Sequence, residues 1–178
     1  FSQKKDRSEV FADDNEFPEV TVVCAAYNEE RVIEEKIHST FNSAYPAAKI
    51  HFIIGTDACS DQTVALIKKL QQSYKGLKLK EFTSRTGKIG ILNALCAEAQ
   101  SPVLVMTDAN VFFKPGTISH LVKHFKNERV GLVCGQVIKR PLNNEAVTKS
   151  ELHYMNFENS LKLAESNLMK QSRQRRAL

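Results

Sequence analysis

At 178 residues, with 42% hydrophobic and 25% charged side chains, the chain has the composition of one globular domain able to bury a core, not of a disordered or fibrous polymer. No apolar run is long enough to cross a bilayer, and no signal-peptide pattern opens the sequence. The formal charge of +5 is concentrated in the last ten residues, where Lys170, Arg173, Arg175 and Arg176 stand without an acid. The remainder is near neutral, which argues against a nucleic-acid partner and for a solvated basic tail.

Residues 1–19 are charged and aperiodic and read as a leader. Residues 20–25 form a β-branched run, the first strand, which leaves through Ala26-Tyr27-Asn28-Glu29-Glu30. Asn28 is placed to cap a following helix, with Glu29 and Glu30 in its positive first turn. Ile33, Ile37 and Phe41 recur every four residues, so that helix is amphipathic, and Tyr45-Pro46 stops it. Residues 51–55 give a second strand, with Asp57, Ser60 and Asp61 at its exit. Ser60 or Asp61 caps a helix carrying Val64, Ile67 and Leu70. Residues 77–82 alternate and read as a third, weaker strand. Arg85-Thr86-Gly87-Lys88 then turns into a helix with Leu92, Leu95, Cys96 and Ala99 inward.

Val103-Leu-Val-Met106 is wholly apolar and reads as a strand buried on both faces. It delivers Asp108 and Asn110 where the chain leaves the sheet. Open α/β sheets bind ligands at the carboxyl ends of their strands. Two oxygen-bearing side chains one residue apart there suit a hard divalent cation carrying a phosphorylated ligand. The alternative is a pair that only shapes the turn before Pro115. A helix over 117–125, a strand over 130–137 and a helical pattern over 146–168 complete the chain. Alternating strands and helices predict an α/β fold with a mostly parallel, doubly wound sheet flanked by helices.

Cys24, Cys96 and Cys134 sit inside apolar patterns and read as small core residues. The four cysteines have no Cys-x-x-Cys spacing, so a reducing, cytosolic setting is the default. His120 and His124 are spaced to share a metal but lack a third ligand, and read as surface residues. There is no P-loop motif and no Gly-x-Gly-x-x-Gly after the first strand. Three strand exits nevertheless carry polar groups, and Gly87-Lys88 adds a cation at a helix start. Brought side by side, they make one acidic cleft that holds a diphosphate only through a metal bridge.

Taken in order, Val20-Thr-Val-Val-Cys-Ala-Ala-Tyr-Asn-Glu-Glu30, Asp57-Ala-Cys-Ser-Asp-Gln-Thr63, Gly87-Lys-Ile-Gly-Ile-Leu-Asn93 and Thr107-Asp-Ala-Asn110 resemble the successive motifs of family 2 glycosyltransferases with the GT-A fold, across residues 18–168. The resemblance implies an inverting transferase that takes a sugar from a nucleotide diphosphate donor, commonly a UDP-sugar, using Mg²⁺ or Mn²⁺. Carried over by motif, Ala26, Tyr27, Asn28, Glu29 and Asp57 would contact the nucleoside, with Asp57 accepting from a uracil N3–H. Lys88 would lie near the base or diphosphate. Asp108 would be the first member of the family's Asp-x-Asp motif, reaching ribose or metal. Asn110 takes the second, metal-ligating position, a neutral oxygen where the family has a carboxylate.

The family's acceptor half supplies a catalytic carboxylate and a Gln-x-x-Arg-Trp motif. This sequence has no Trp and nothing after Leu168 matches, so the general base is expected beyond Leu178. Glu151, Glu158 and Glu165 share a helical face and read as solvated. The expected organisation is the leader over 1–19, a nucleotide-sugar-binding α/β domain over 20–140, and a helical segment with basic tail over 141–178 leading to a missing acceptor half. The partners implied are a UDP-sugar and an acceptor that is polysaccharide, lipid or protein. The setting is cytoplasmic, at the cytoplasmic face of a membrane if spans flank the chain. Two other readings stand beside this one. A nucleotidyltransferase shares the layered architecture but opens with a Gly-rich, basic loop, whereas residues 25–30 are acidic and lack glycine. A non-catalytic nucleotide-binding module is separated from the first reading by a turnover assay.

Overall fold

The computed structural model of the protein describes residues 16–137. The leader up to residue 15, the helical pattern over 146–168 and the basic tail lie outside the described residues. Four strands, β1 (Val20–Ala26), β2 (Ile50–Asp57), β3 (Leu77–Phe82) and β4 (Val103–Met106), form one sheet in the order β3-β2-β1-β4, every pair parallel. Parallel neighbours require crossovers, and α1 (Ile33–Phe41), α2 (Thr63–Gln71) and α3 (Lys88–Glu98) supply them. The chain steps outward from β1 to β3, then returns to place β4 on the other side of β1. That reversal opens a crevice beyond the ends of β1 and β4.

One face of the sheet carries Val20, Val22, Cys24, Phe52, Ile54, Val103 and Val105. It packs against Ile33, Ile37 and Phe41 of α1, Ile67 and Leu70 of α2, and Ile118 of α4 (Thr117–Val122). The four-residue recurrence along α1 puts those three side chains on one stripe, as its sequence predicts. The other face is smaller: Val23 and Ile53 lie under Ile91 and Leu95 of α3. The α3 backbone can come this close because Gly55 has no side chain. A Cβ built there would stand 2.4 Å from the Ile91 Cγ2 and 3.3 Å from Leu95. Gly55→Ala should therefore push α3 outward and cost roughly 1–3 kcal/mol, the range for overpacking a well-filled core. Urea unfolding of the two proteins measures it, and an unchanged midpoint would show that α3 does not ride on Gly55.

Several sequence expectations need correction. β4 is not buried on both faces. It is an edge strand among the described residues, and the cluster under α3 takes in Val23 of β1 and Ile53 of β2 but no residue of β4, with Leu104 38% and Met106 58% exposed. The run at 130–137 predicts a strand, yet it is irregular and mostly exposed. Gly131 and Gly135 weaken its strand preference, and no described strand pairs with it. Cys134 is consequently exposed rather than a core residue, while Cys24 is buried and Cys96 half-buried as expected. The helix at 117–125 narrows to a 3₁₀ turn after Val122, so His120 and His124 do not share one α-helical face. Part of the charged leader is also tied down, because Phe17 meets Tyr45 edge-on with centroids 4.8 Å apart.

Candidate functional site

The crevice at the sheet's reversal is a cleft of about 250 Å³. Ala25, Ala26, Tyr27 and Glu29 reach it from the end of β1, and Asp57 from the end of β2. Arg85, Lys88 and Ile91 come from the start of α3, and Asp108, Ala109 and Asn110 from the exit of β4. Of the residues singled out by sequence, Ala26, Tyr27, Glu29, Asp57, Lys88, Asp108 and Asn110 are brought together here, and Asn28 is not among the lining residues.

Asn28 does something else. Its backbone is left-handed, φ 52°, which turns its side chain toward the neighbouring strand exit. There its Oδ1 accepts from the Ser60 N–H at 2.9 Å and its Nδ2 donates to the Ser60 hydroxyl at 3.2 Å. Three further bonds join the same two exits. The Glu29 N–H donates to Thr63 Oγ1 at 2.8 Å, the Glu30 N–H to Asp61 Oδ2 at 3.1 Å, and the Gln62 N–H to Glu30 Oε2 at 3.0 Å. The first helix therefore begins later than its acidic residues suggest, at Ile33, with Glu34 and Glu35 in its first turn and no side-chain cap. Asp61 does accept from the Thr63 N–H at 3.0 Å, at the entrance of α2. Burial alone would raise the Asp61 carboxyl, but hydrogen bonds from Thr63 and the Glu30 N–H outweigh it and hold it low.

Asp57 is the most constrained carboxylate of the cleft, 4% exposed. Its Oδ1 accepts from the Thr86 N–H at 2.6 Å, its Oδ2 from Arg85 Nε at 3.0 Å, and the Gly87 N–H lies between the two oxygens at 3.2–3.3 Å. The Thr86 N–H, then Gly87 and Arg85, keep its carboxyl below the ordinary carboxylate range against the opposing effect of burial. Gly87 supplies the turn this needs, at φ 78°. The Arg85 guanidinium also lies over the Tyr27 ring, 3.7 Å from its centroid. Sequence reading placed Arg85 in a turn and gave it no role. The only signal was a cation two residues ahead of Gly87, and no spacing rule links it to Tyr27, 58 positions earlier.

On the opposite wall Lys88 Nζ pairs with Asp108 Oδ1 at 2.6 Å, both side chains about half exposed. Glu29 is raised, first by burial and then by the carboxylates of Asp61 and Asp108, so this wall concentrates negative charge. No group of three His, Cys, Asp or Glu side chains able to hold a metal occurs among the described residues. Asp108 and Asn110 offer one charged and one neutral oxygen ligand on an open wall. That donor set is too small to cage a bare ion, but fits Mg²⁺ or Mn²⁺ arriving with phosphate oxygens and water in the rest of its coordination shell.

A four-stranded parallel sheet flanked by helices is the architecture of GT-A glycosyltransferases among solved structures. The mannosyltransferase PcManGT from Pyrobaculum calidifontis, in complex with GDP-Man and Mn²⁺, superposes with a TM-score of 0.58 at 31% identity, over 62% of this chain and 33% of that one. TarS from S. aureus gives a TM-score of 0.62 at 17% identity over 74% and 23%, a likeness of fold. The family model for glycosyl transferase family 2 matches residues 21–176, and the chain belongs to that family. The probable glycosyltransferase YdaM of Bacillus subtilis is 30% identical over 125 residues, 68% of this chain and 30% of that protein. Beta-monoglucosyldiacylglycerol synthase of Trichormus variabilis is 30% identical over 118 residues, 65% and 25%. The chain thus spans about a third or less of the length of these relatives. No helix of the described residues is long and apolar enough to cross a membrane.

Proposed function

We propose that the chain is the donor-binding part of an inverting, metal-assisted glycosyltransferase that moves a sugar from a UDP-sugar to an acceptor hydroxyl. The observation that carries this reading is the convergence of Tyr27, Asp57, Lys88, Asp108 and Asn110, from four separate strand exits and helix starts, on one cleft. The Tyr27 ring offers a stacking surface and Asp57 an acceptor for a base. Lys88 is placed to exchange Asp108 for a phosphate oxygen. Asp108 and Asn110 would hold the cation, which when bound neutralises the diphosphate and eases its departure from the sugar. Relatives named as beta-monoglucosyldiacylglycerol synthases favour a lipid acceptor, and those named as poly-beta-1,6-N-acetyl-D-glucosamine synthases a polysaccharide one.

The base assignment follows from Asp57. Its Oδ1 is engaged by the Thr86 backbone, but Oδ2 is held by Arg85, whose side chain is 58% exposed and able to swing away. Departure of Arg85 opens a lone pair on Oδ2, which the Gly87 N–H still contacts at 3.2 Å, and uncovers the face of Tyr27. Uracil presents one ring N–H and matches one acceptor, whereas guanine presents two donors and adenine no ring N–H on that edge. A guanine donor is the second reading, favoured by the GDP-Man complex of PcManGT. Calorimetry with UDP, GDP and ADP in the presence of Mn²⁺ separates them. UDP should bind most tightly. Equal affinities would remove the uracil assignment, and a clear preference for GDP would establish the alternative.

A further inference from the structure

Lys36 is among the largest fully buried side chains of the described residues, at 0% exposed. It lies in the middle of α1 on the face that packs toward the sheet, where an apolar residue of the same length would avoid the penalty of burying a charge. Its polar contacts all lie on one loop, the one that follows β4. Nζ donates to Thr107 Oγ1 at 2.9 Å and to the Val111 carbonyl at 2.5 Å, and sits 3.9 Å from the centroid of the Phe113 ring. Thr107 and Val111 are the residues immediately outside Asp108 and Asn110.

We propose that Lys36 is a positioning residue for the Asp108–Asn110 turn, a buried cation that grips both ends of the turn from behind and aims its two oxygen ligands into the cleft. The inference deepens the metal–nucleotide reading above and rests on it. The geometry supports a clamp rather than ordinary packing. The Val111 N–H and the Thr107 hydroxyl both donate to Asp108 O, at 3.2 and 3.4 Å, so the turn is weakly tied within itself. Its other anchors are the half-exposed Lys88–Asp108 pair, the Thr107 N–H on Val23 O at 3.1 Å and the Phe113 N–H on Ser39 Oγ at 3.4 Å, and none joins Thr107 to Val111. Lys36 does, with two charge-assisted bonds and a ring face. The ammonium also stands behind Asp108, where it offsets the carboxylates on the cleft side. Burial pushes its pKa down to about 8, against the pull of Cys24 and Asp108, and about 8 still leaves it mainly charged at neutral pH.

Two variants of the full chain test this. Lys36→Met keeps the length and removes the charge, and Thr107→Val removes one acceptor while keeping the shape. Amide hydrogen exchange over residues 107–111 reads the clamp without any ligand. Electron paramagnetic resonance of free Mn²⁺, with UDP saturating, reads its consequence. Lys36→Met should speed exchange in the turn relative to β1 and β2 and weaken Mn²⁺ uptake roughly 10- to 100-fold, the cost of losing an outer-shell partner. Thr107→Val should shift both in the same direction by less. Turn exchange and Mn²⁺ uptake like the wild type would overturn the proposal, as would loosening spread evenly over the sheet, which marks a packing role. Should Lys36→Met fail to fold, Thr107→Val decides alone, and wild-type behaviour there overturns the clamp. If the turn loosens but the wild type takes up no Mn²⁺ with UDP, the metal reading fails while the clamp stands.

Discussion

Asp108→Ala should abolish metal-dependent UDP binding, with an affinity loss of more than about 100-fold, beyond the range seen when only an outer-shell partner is removed. Asp108 is the single charged oxygen of the proposed cation pair, and its neighbour Asn110 supplies a carbonyl alone. A diphosphate would enter a wall where burial, and then the carboxylates of Asp61 and Asp108, already raise Glu29. Without a bridging cation, phosphate and carboxylates cannot share that space. The half-exposed Lys88–Asp108 pair contributes little to folding, so the variant should remain folded and the loss be read as binding. EDTA should reproduce the effect in the wild type. Asn110→Asp should tighten Mn²⁺ in the presence of UDP by on the order of 1 kcal/mol, since it adds a charge beside the ion at a partly solvated site. If EDTA leaves UDP affinity unchanged and all variants titrate alike, Asp108 and Asn110 shape a turn and nothing more.

The second large effect is expected at Asp57. Removing its carboxylate orphans the Thr86 and Gly87 N–H groups and frees Arg85, so the loop that starts α3 loses its anchor and the proposed acceptor for a base is gone. Asp57→Ala should weaken UDP roughly ten- to hundredfold, the usual cost of unpairing buried donors. Asp57→Asn should do no better. One carboxamide oxygen cannot serve three converging donors, and its NH₂ would face another donor. The pH dependence has a definite sign. The folded carboxyl is held below its unfolded value, so its contribution to stability is complete above the unfolded carboxylate range and is lost as pH falls through the lower, folded value. Unfolding midpoints followed downward from neutral pH should therefore fall more steeply for the wild type than for Asp57→Ala. Parallel curves would mean that the Thr86–Asp57 contact does not anchor the loop.

Much of this was legible in the residues. The strand and helix order up to α3 follows from β-branched runs and the four-residue recurrence of Ile33, Ile37 and Phe41, because burial on a sheet selects those periods. The cleft was legible for a related reason: polar residues directly after apolar strands must end at one edge of a parallel sheet. What failed depends on pairs distant in sequence. Leu104 and Met106 look buried because an apolar run does not say whether a helix covers its second face. Asn28 looks like a cap because its partner, Ser60, is known only once β1 and β2 are in register. Lys36 reads as one more charge on a helix, since nothing local shows that its ammonium reaches Val111, 75 positions away.

The bonds joining the exits of β1 and β2 have a kinetic consequence. Asn28 to Ser60, Glu29 to Thr63 and Glu30 to both Asp61 and Gln62 fix the base-side floor of the cleft before any ligand arrives. On the base side, then, only Arg85 has to move, and solvent-exposed side chains rearrange in pico- to nanoseconds. On the phosphate side, a cation held by Asp108 would displace Lys88 from it, exchanging one charge for another and shedding water from a strongly hydrated ion. On the proposed function, the nucleoside end of a donor would thus be seated quickly on a surface already in place. The diphosphate end would follow at the slower pace of ion dehydration, which would give a mismatched base time to dissociate before a metal held it in place.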